Sequence, residues 1–428
     1  MADKKIILIC YYTNKNKYSF NALAGAIETK KELKDLRILF PNNKEKLIST
    51  INNTISLYEK VIIGISFSSN QLWDIQDTLL ELREKFGRKP IYFAGGPHPS
   101  GDPKGTLKMG FDVCVIGEGE ETFPNLLIKI KDDVDFKDTN GIAFMDEEGN
   151  FIKNKTPSYI DLNDYPPFSI KYIKLGPIEI SRGCPFLCYF CQTPYIFGTK
   201  SRHRNIETII KYVEISKKQG FKDIRFISPN GFLYGSLNNT VNLDLIEELL
   251  NKIRKIMGSK GKVFFGSFPS EVRPENITKE AIDLILKYAN NDNLIIGAQS
   301  GSQHILDSCN RGHSVEDIYR AVRCTINSGL KANVDFIFGL PNETEQDVQD
   351  TLNVIDDLTK LGARIHAHTF IPLPGTPFKY QKPSRLDKNL RKRIRDLANQ
   401  ELIYGDWRQQ HIIGRRMMKY FAKSKLDE

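Results

Sequence analysis

At 428 residues the chain is long for one domain and points to two or three. With 40% hydrophobic and 26% charged residues it has the composition of an ordinary globular protein, which excludes a disordered or fibrous chain. No apolar run approaches the roughly 18 residues a membrane span needs, and seven cysteines in so long a chain exclude a disulfide scaffold. The net charge of +9 is concentrated: residues 379–428 hold 14 Lys/Arg against six Asp/Glu, so the remainder is near neutral. A basic stretch of this kind can bind nucleic acid, but it lacks interleaved stacking aromatics, and the solvated face of a helix is the preferred reading.

Met1 to Lys5 runs directly into Ile6–Cys10, too short for a signal peptide and readable as a first strand, so a cytoplasmic location is expected. Residues 1–130 then alternate strand and helix patterns. Phe20–Leu33 is helical, Val61–Phe67 a buried strand, Ile75–Phe86 a helix, Pro90–Ala94 and Val113–Ile116 strands, and Phe123–Ile130 a helix. Such alternation predicts an α/β, doubly wound, Rossmann-like sheet. Ligands of these sheets bind beyond the carboxyl ends of the strands. There stand Ser66, Ser68, Gly95-Gly96-Pro97-His98 and Gly117-Glu118-Gly119-Glu120.

Residues 131–176 read as a β-hairpin and linker, with Gly141–Phe144 and Gly149–Ile152 flanking a turn and Tyr165-Pro166-Pro167-Phe168 extended. From 177 to 378 the strand–helix rhythm resumes. Six strands are placed near 178–181, 223–228, 262–267, 293–299, 332–338 and 365–371, with helices at 205–219, 241–257, 278–289, 314–328 and 343–361 between them. Their carboxyl ends carry small or polar residues: Ser228, Ser267, Gln299-Ser300-Gly301-Ser302 and Gly339-Leu340-Pro341. Residues 379–428 form a basic helical extension, with periodicity at Leu386, Leu390, Ile394 and Leu397.

The first of these strands enters Cys184-Pro185-Phe186-Leu187-Cys188-Tyr189-Phe190-Cys191. Thiolates suit iron–sulfur clusters and zinc. Three of them hold three corners of a cubane and leave its fourth iron open. Structural zinc would need a second ligand pair, and no cysteine follows until Cys309. Cys10, Cys114, Cys309 and Cys324 are scattered and read as buried structural residues.

The C-x3-C-x-F-C run, with Pro185 and Phe190 in place, resembles the signature of radical S-adenosylmethionine (SAM) enzymes. The resemblance implies a [4Fe-4S] cluster on Cys184, Cys188 and Cys191, a partial (β/α)6 TIM-like barrel, and an adenosyl radical made from SAM. Ile296–Ser302 is similar to the family's G-x-E-S-G-S strand, Asn310-Arg311-Gly312 to its following arginine, and Phe336–Thr344 and Ile371–Pro377 to its later turns. It implies that Phe190, Ser228, Ser267, Gln299 and Ser300 face SAM and that Arg311 pairs with the SAM carboxylate. Gln299 replaces the family's glutamate and brings no charge.

Gly95–His98 together with Val115–Thr122 resemble the cobalamin-binding domain of the B12-dependent radical SAM class. That likeness implies cobalamin bound by Ser66, Ser68, Gly95, Gly96, Pro97, His98, Gly117, Glu118, Gly119 and Glu120. The D-x-H-x-x-G motif is absent, so no histidine from it is expected below cobalt. Trp73 either lies beneath the corrin or packs in the core under the Ile75 helix.

The activity implied is a cobalamin-dependent radical SAM C-methyltransferase acting on an unactivated carbon. The layout resembles methanogen-type enzymes that modify methyl-coenzyme M reductase, which suggests the Cα of a glutamine in a protein. Competing readings are ring contraction or oxidative cyclisation of a small molecule, tRNA methylthiolation, which calls for three more cluster cysteines, and a non-enzymatic cofactor carrier. A protein or peptide substrate and an electron donor such as ferredoxin or flavodoxin are expected, with no membrane and no nucleic-acid partner. No protein nucleophile is identified, and the chemistry implied needs none.

Overall fold

Alternating apolar strands and amphipathic helices divide the chain into two units, Met1–Gly176 and Pro177–Glu428, in a computed structural model that describes residues 5–426. Each unit is built around its own parallel sheet.

In the first unit seven strands stand in the order β2-β1-β3-β4-β5-β6-β7. They are β1 (Ile6–Cys10), β2 (Arg37–Leu39), β3 (Lys60–Ser66), β4 (Ile91–Gly95), β5 (Val113–Val115), β6 (Ile142–Met145) and β7 (Phe151–Lys153). The first five are parallel, and β6 and β7 are antiparallel additions at one edge. The central strands are apolar on both faces because helices cover both: all five residues of β1 and six of the seven in β3 are buried. Strand β2 and the helix Lys44–Thr54 were not anticipated. β2 is a three-residue edge strand with Arg37 exposed, too short to show a period. The helix announces itself by Asn43, whose Oδ1 accepts from Lys46 N–H, and by buried Leu47 and Ile51. The hairpin expected between the domains belongs to this sheet, since β6 pairs with β5 at Val113–Phe144.

In the second unit β8 (Ile178–Glu179) leads to β9 (Ser181–Arg182), which pairs antiparallel with β10 (Arg202–His203). Then come β11 (Asp223–Ile227), β12 (Lys262–Phe264), β13 (Asn293–Gln299), β14 (Lys331–Phe338), β15 (Arg364–Thr369) and β16 (Ile403–Tyr404). β8, β11 and β12 form one parallel set and β13 to β16 another. Val272 stitches them together: its N–H donates to Ile295 O (2.8 Å) and its carbonyl accepts from Gly297 N–H (3.0 Å). Strand order thus follows chain order, as in a barrel wall.

The crossover helices fall within one or two residues of the predicted spans, at 206–218, 243–257, 279–288, 315–327 and 345–360. Their starts are fixed by caps, Asn205, Asn242, Thr278, Ser314 and Thr344, the last two in full capping boxes with Asp317 and Asp347. The basic extension is more than helix. Its Ile403–Tyr404 segment adds a strand beside β15. The helix 388–399 buries Leu390, Ile394 and Leu397 and leaves Lys392 and Arg395 exposed, a solvated basic face. Among the described residues no helix is long and apolar enough to cross a membrane.

Candidate functional site

The cysteine loop is pinched at its base by the β9–β10 pair. Gly183 there has φ +86°, and a Cβ would sit 2.4 Å from Lys200 O, so only glycine fits. Beyond it, Cys184 N–H donates to Gly198 O (3.0 Å), Tyr189 N–H to Cys309 O (3.0 Å) and Cys191 N–H to Cys188 O (3.1 Å). Asn310 Nδ2 donates to the carbonyls of Phe186 and Leu187. Phe190 packs against the buried cluster of Ile305, Cys309, Leu340, Phe370 and Phe378. The loop carrying Cys184, Cys188 and Cys191 is therefore held to the segment after β13 by backbone bonds that do not depend on the thiols.

Burial pushes the Cys184 thiol up to about 11 and raises that of Cys191. Thiols in such a place lose their protons only to a strong positive centre, which ligated iron supplies. Cys188 is set apart. The guanidiniums of Arg273 and Arg311 approach its sulfur at 3.8 and 3.6 Å. Arg273 also stacks over Phe186 at 3.6 Å and pairs with Glu275. Three cysteines on one constrained loop with positive charge at one sulfur fit a cluster ligand set.

The strand ends supply the rest. Arg311 is 5% exposed, donates from Nη2 to Gly297 O (2.5 Å) and keeps Nε buried without a partner. Ser267 Oγ and Asn230 Oδ1 are likewise buried and unpaired. Polar atoms left this way are costly, and a bound polar ligand relieves the cost. They fit SAM, whose carboxylate, ammonium and ribose hydroxyls carry matching groups. Gln299 sits at a register irregularity in β13 with φ +74°, an uncommon backbone for a non-glycine residue. A Cβ on Gly297 would meet Arg311 Nη2 at 2.8 Å, Gln299 Nε2 at 2.9 Å and Glu271 Oε2 at 3.3 Å. Those three polar groups therefore converge over Gly297.

Two of the serines expected on SAM already bond within the chain. The Ser300 hydroxyl lies 3.3 Å from Thr351 Oγ1 and accepts from Ser302 N–H, because the turn after β13 folds down onto the helix 345–360. Ser228 donates instead to Asn230 O at 2.8 Å and shapes its own turn. Glu271 was missed. Burial raises its carboxyl, and Arg311 pulls it back down. It brings to this spot the carboxylate that Gln299 lacks. It lies in no strand or motif, so only the fold reveals it. Asp335, His366, His368, Tyr404 and Gln410 were missed as well. The H-x-H spacing on a strand, which puts both rings on one face, was the available signal.

In the first unit the strand order reverses direction between β1 and β3, the place where sheets of this order bind ligands. Asn16 closes that point, its Nδ2 donating to Tyr11 O and Ser66 O at 2.9 Å each. At the end of β4 the two glycines differ. A Cβ on Gly95 would meet only Val115 O at 4.0 Å, so open space lies above it, whereas one on Gly96 (φ +94°) would strike Ser66 Oγ and Phe67 O at 2.8 and 2.9 Å. The open cradle at Gly95 fits a flat ligand lying over the strand ends. Pro97 begins the short helix 97–101. His98 was expected among the cobalamin contacts. It is 0% exposed, bonded through Nδ1 to Ser69 Oγ and stacked on Phe67, so it braces the loop from within. Ser68 is absorbed in a capping box with Gln71. Gly117 N–H donates to Ser100 Oγ, Glu118 accepts from Ile160 N–H, and Gly119 and Glu120 open the helix 119–131. Trp73 is half-buried in the first turn of the helix 72–86, beside the switch point.

Comparison with known proteins agrees with this division. The family described as B12 binding domain matches residues 4–127, and the Radical SAM superfamily matches residues 178–355. A tRNA-2-methylthio-N(6)-dimethylallyladenosine synthase of Petrotoga mobilis is 30% identical over 70% of this chain and 68% of its own. An uncharacterised methyltransferase of Pyrococcus horikoshii is 25% identical over 81% and 74%. The solved structure of the radical SAM methyltransferase TsrM from Kitasatospora setae, with cobalamin and a [4Fe-4S] cluster bound, superposes with a TM-score of 0.68 at 17% identity, covering 88% of this chain and 77% of that one. The chain belongs to the radical SAM superfamily, in the branch that carries a B12-binding domain ahead of the radical SAM module.

Proposed function

We propose that the protein is a C-methyltransferase that moves a methyl group from SAM, by way of cobalamin, to an unactivated carbon. One observation carries the reading: a constrained three-cysteine loop and the unpaired atoms of Arg311, Ser267 and Asn230 stand at the strand ends of one unit, and the other unit has the B12-binding fold. When bound, the cluster with SAM supplies radical C–H cleavage and the corrin supplies a methyl carrier. The chain's own residues do the rest. Cys184, Cys188 and Cys191 hold the iron. Arg311 offers its guanidinium to the SAM carboxylate, and Glu271 and Gln299 beside it suit the ammonium. Gly95 leaves room for the corrin.

For the acceptor we favour a carbon of a protein or peptide, specifically the Cα of a glutamine in a protein such as methyl-coenzyme M reductase. This acceptor rests on the resemblance to methanogen-type enzymes, while the relative named as a methyltransferase supports methyl transfer itself. All seven cysteines are unpaired, which suits a reducing cytoplasm. The proposed cluster chemistry calls for a low-potential electron donor such as ferredoxin or flavodoxin.

Methylthiolation is the second reading, favoured by the name of the Petrotoga relative. It requires a second cluster. Of the four remaining cysteines, Cys10 and Cys114 are buried in β1 and β5, Cys309 is buried in the other unit, and Cys324 lies in the helix 315–327. The test is anaerobic reconstitution with cobalamin, followed by turnover with methyl-deuterated SAM over candidate glutamine peptides and tRNA. A CD3 group on peptide carbon together with S-adenosylhomocysteine supports the proposal. A sulfur-containing adduct on RNA, or deoxyadenosine without S-adenosylhomocysteine, contradicts it.

A further inference from the structure

Away from the cysteine loop, three electron-pair donors meet on adjacent strands. Asp335 on β14 and His366 on β15 are register partners, and His368 lies two residues on, hence on the same face. His366 Nδ1 is 3.0 Å from Asp335 Oδ1 and 3.1 Å from His368 Nε2, and the three ligand atoms all lie within 4.8 Å of one another. Tyr404 on β16 pairs with His366 in register and stacks on its ring at 4.7 Å. Gly297 is the register partner of Asp335 on the other side. Since a Cβ at Gly297 would point at Arg311 and Glu271, the trio shares a sheet face with the arginine that reaches Cys188.

The protons do not suffice for this contact. Thr369 N–H donates to Gln410 Oε1 (2.8 Å), which turns Gln410 Nε2 toward His368 Nδ1 (3.1 Å). His368 Nδ1 then accepts, and its proton sits on Nε2. That single proton faces His366 Nδ1, which then accepts and turns a lone pair toward the Asp335 Oδ1 carboxylate oxygen 3.0 Å away. A cation at the centre satisfies all three atoms together. An octahedral ion with ligands at about 2.1 Å sets neighbours on one face about 3.0 Å apart, whereas a tetrahedral ion at about 2.0 Å spreads them to about 3.3 Å. The two edges that meet at His366 Nδ1, 3.0 and 3.1 Å, match those of an octahedral face, and the third atom pair lies within 4.8 Å. Two histidines and one carboxylate are the donor set of a facial triad with open positions.

We propose that Asp335, His366 and His368 bind one divalent first-row transition-metal ion, separate from the cluster. The open positions take water or an oxygen donor of the substrate. Asp335 and His366 keep 11% and 31% of their side chains exposed, so the trio is not sealed. Gln410 sets the affinity. Ligation through Nε2 moves the His368 proton to Nδ1, where it meets the donor end of the amide. The amide must turn and release Thr369 N–H, so the ion is held loosely and exchanges.

The test uses the full chain with its cluster reconstituted, titrated anaerobically with cobalt(II) alone and followed by its visible absorption. One saturable equivalent is expected. His366→Gln and His368→Gln should each weaken binding at least about tenfold, and Gln410→Glu, which offers an acceptor to Nδ1–H, should tighten it by about tenfold. Cys184→Ala should leave cobalt binding in place. The absence of saturable binding, which would make the trio a plain hydrogen-bonded network, overturns the proposal. So does binding that survives both histidine substitutions or is lost with Cys184→Ala. None of these readouts depends on methyl transfer.

Discussion

Arg311 touches Cys188 and β13 with one guanidinium: Nη1 lies 3.6 Å from the Cys188 sulfur, and Nη2 donates to Gly297 O at 2.5 Å. The cysteine loop and the end of β13 are thereby tied together by a single buried charge. Arg311→Gln is expected to weaken SAM binding by about 10- to 100-fold, the loss of roughly 1.5–3 kcal/mol in charged hydrogen bonds. Arg311→Lys, which keeps charge but loses the fork, should fall between. Isothermal titration of cluster-loaded protein with SAM measures both. Equal affinity across the three proteins would remove Arg311 from the site.

The cluster ligands should separate sharply from the other cysteines. Cys184→Ser, Cys188→Ser and Cys191→Ser should each cost nearly all reconstituted iron, while Cys324→Ser, half-buried on the helix 315–327, should keep it. Iron and sulfide assays after anaerobic reconstitution decide this. The tighter check is Cys309→Ser. It lies next to the loop, and its carbonyl binds Tyr189 N–H, but its side chain should not matter for iron content.

The adjacent glycines of β4 should behave oppositely. A Cβ at Gly95 would meet only one backbone oxygen at 4.0 Å, so Gly95→Ala should fold normally and lose cobalamin affinity by about tenfold. Gly96→Ala forces a Cβ against Ser66 and Phe67 at positive φ, a strain of about 1–3 kcal/mol. It should lower the melting temperature by roughly 2–4 °C for each kcal/mol. Calorimetry and corrinoid equilibrium dialysis on the same samples compare the two.

Glu343 gives a pH signature. Burial lifts its carboxyl to about 8, against the backbone N–H groups of Gly339 and Leu340 that pull it down. The folded chain therefore prefers the protonated acid. Its contribution to stability is full below about 4.5 and is lost as pH rises through about 8. Thermal melts of the full chain should fall between pH 5 and pH 8, and Glu343→Gln should flatten that fall. Parallel curves for the two proteins would contradict the assignment.

Much of this was legible in sequence because it rests on local rules. The cysteine spacing, the capped crossover helices and the buried strands follow from neighbours a few residues apart. What could not be read there has a different cause. Ser300 and Ser228 are polar residues at the right strand ends, but the chain folds back and uses their hydroxyls itself. His98 looks like a ligand contact until Phe67 and Ser69 enclose it. Glu271, Asp335 and Gln410 lie far apart in sequence and outside any motif. Only strand register brings Asp335 beside His366, and only the strand formed by Ile403–Tyr404 explains why a basic tail belongs to the barrel wall.

The central claim is that one chain carries both a cubane on three cysteines and a corrin. Metal and corrinoid analysis of anaerobically reconstituted protein tests it most directly. The account predicts about four irons per chain that disappear with Cys184→Ser, and about one corrinoid that Gly95→Ala holds about tenfold less tightly. Zinc in place of iron on the cysteine loop, or a wild-type chain that retains no corrinoid, would contradict it.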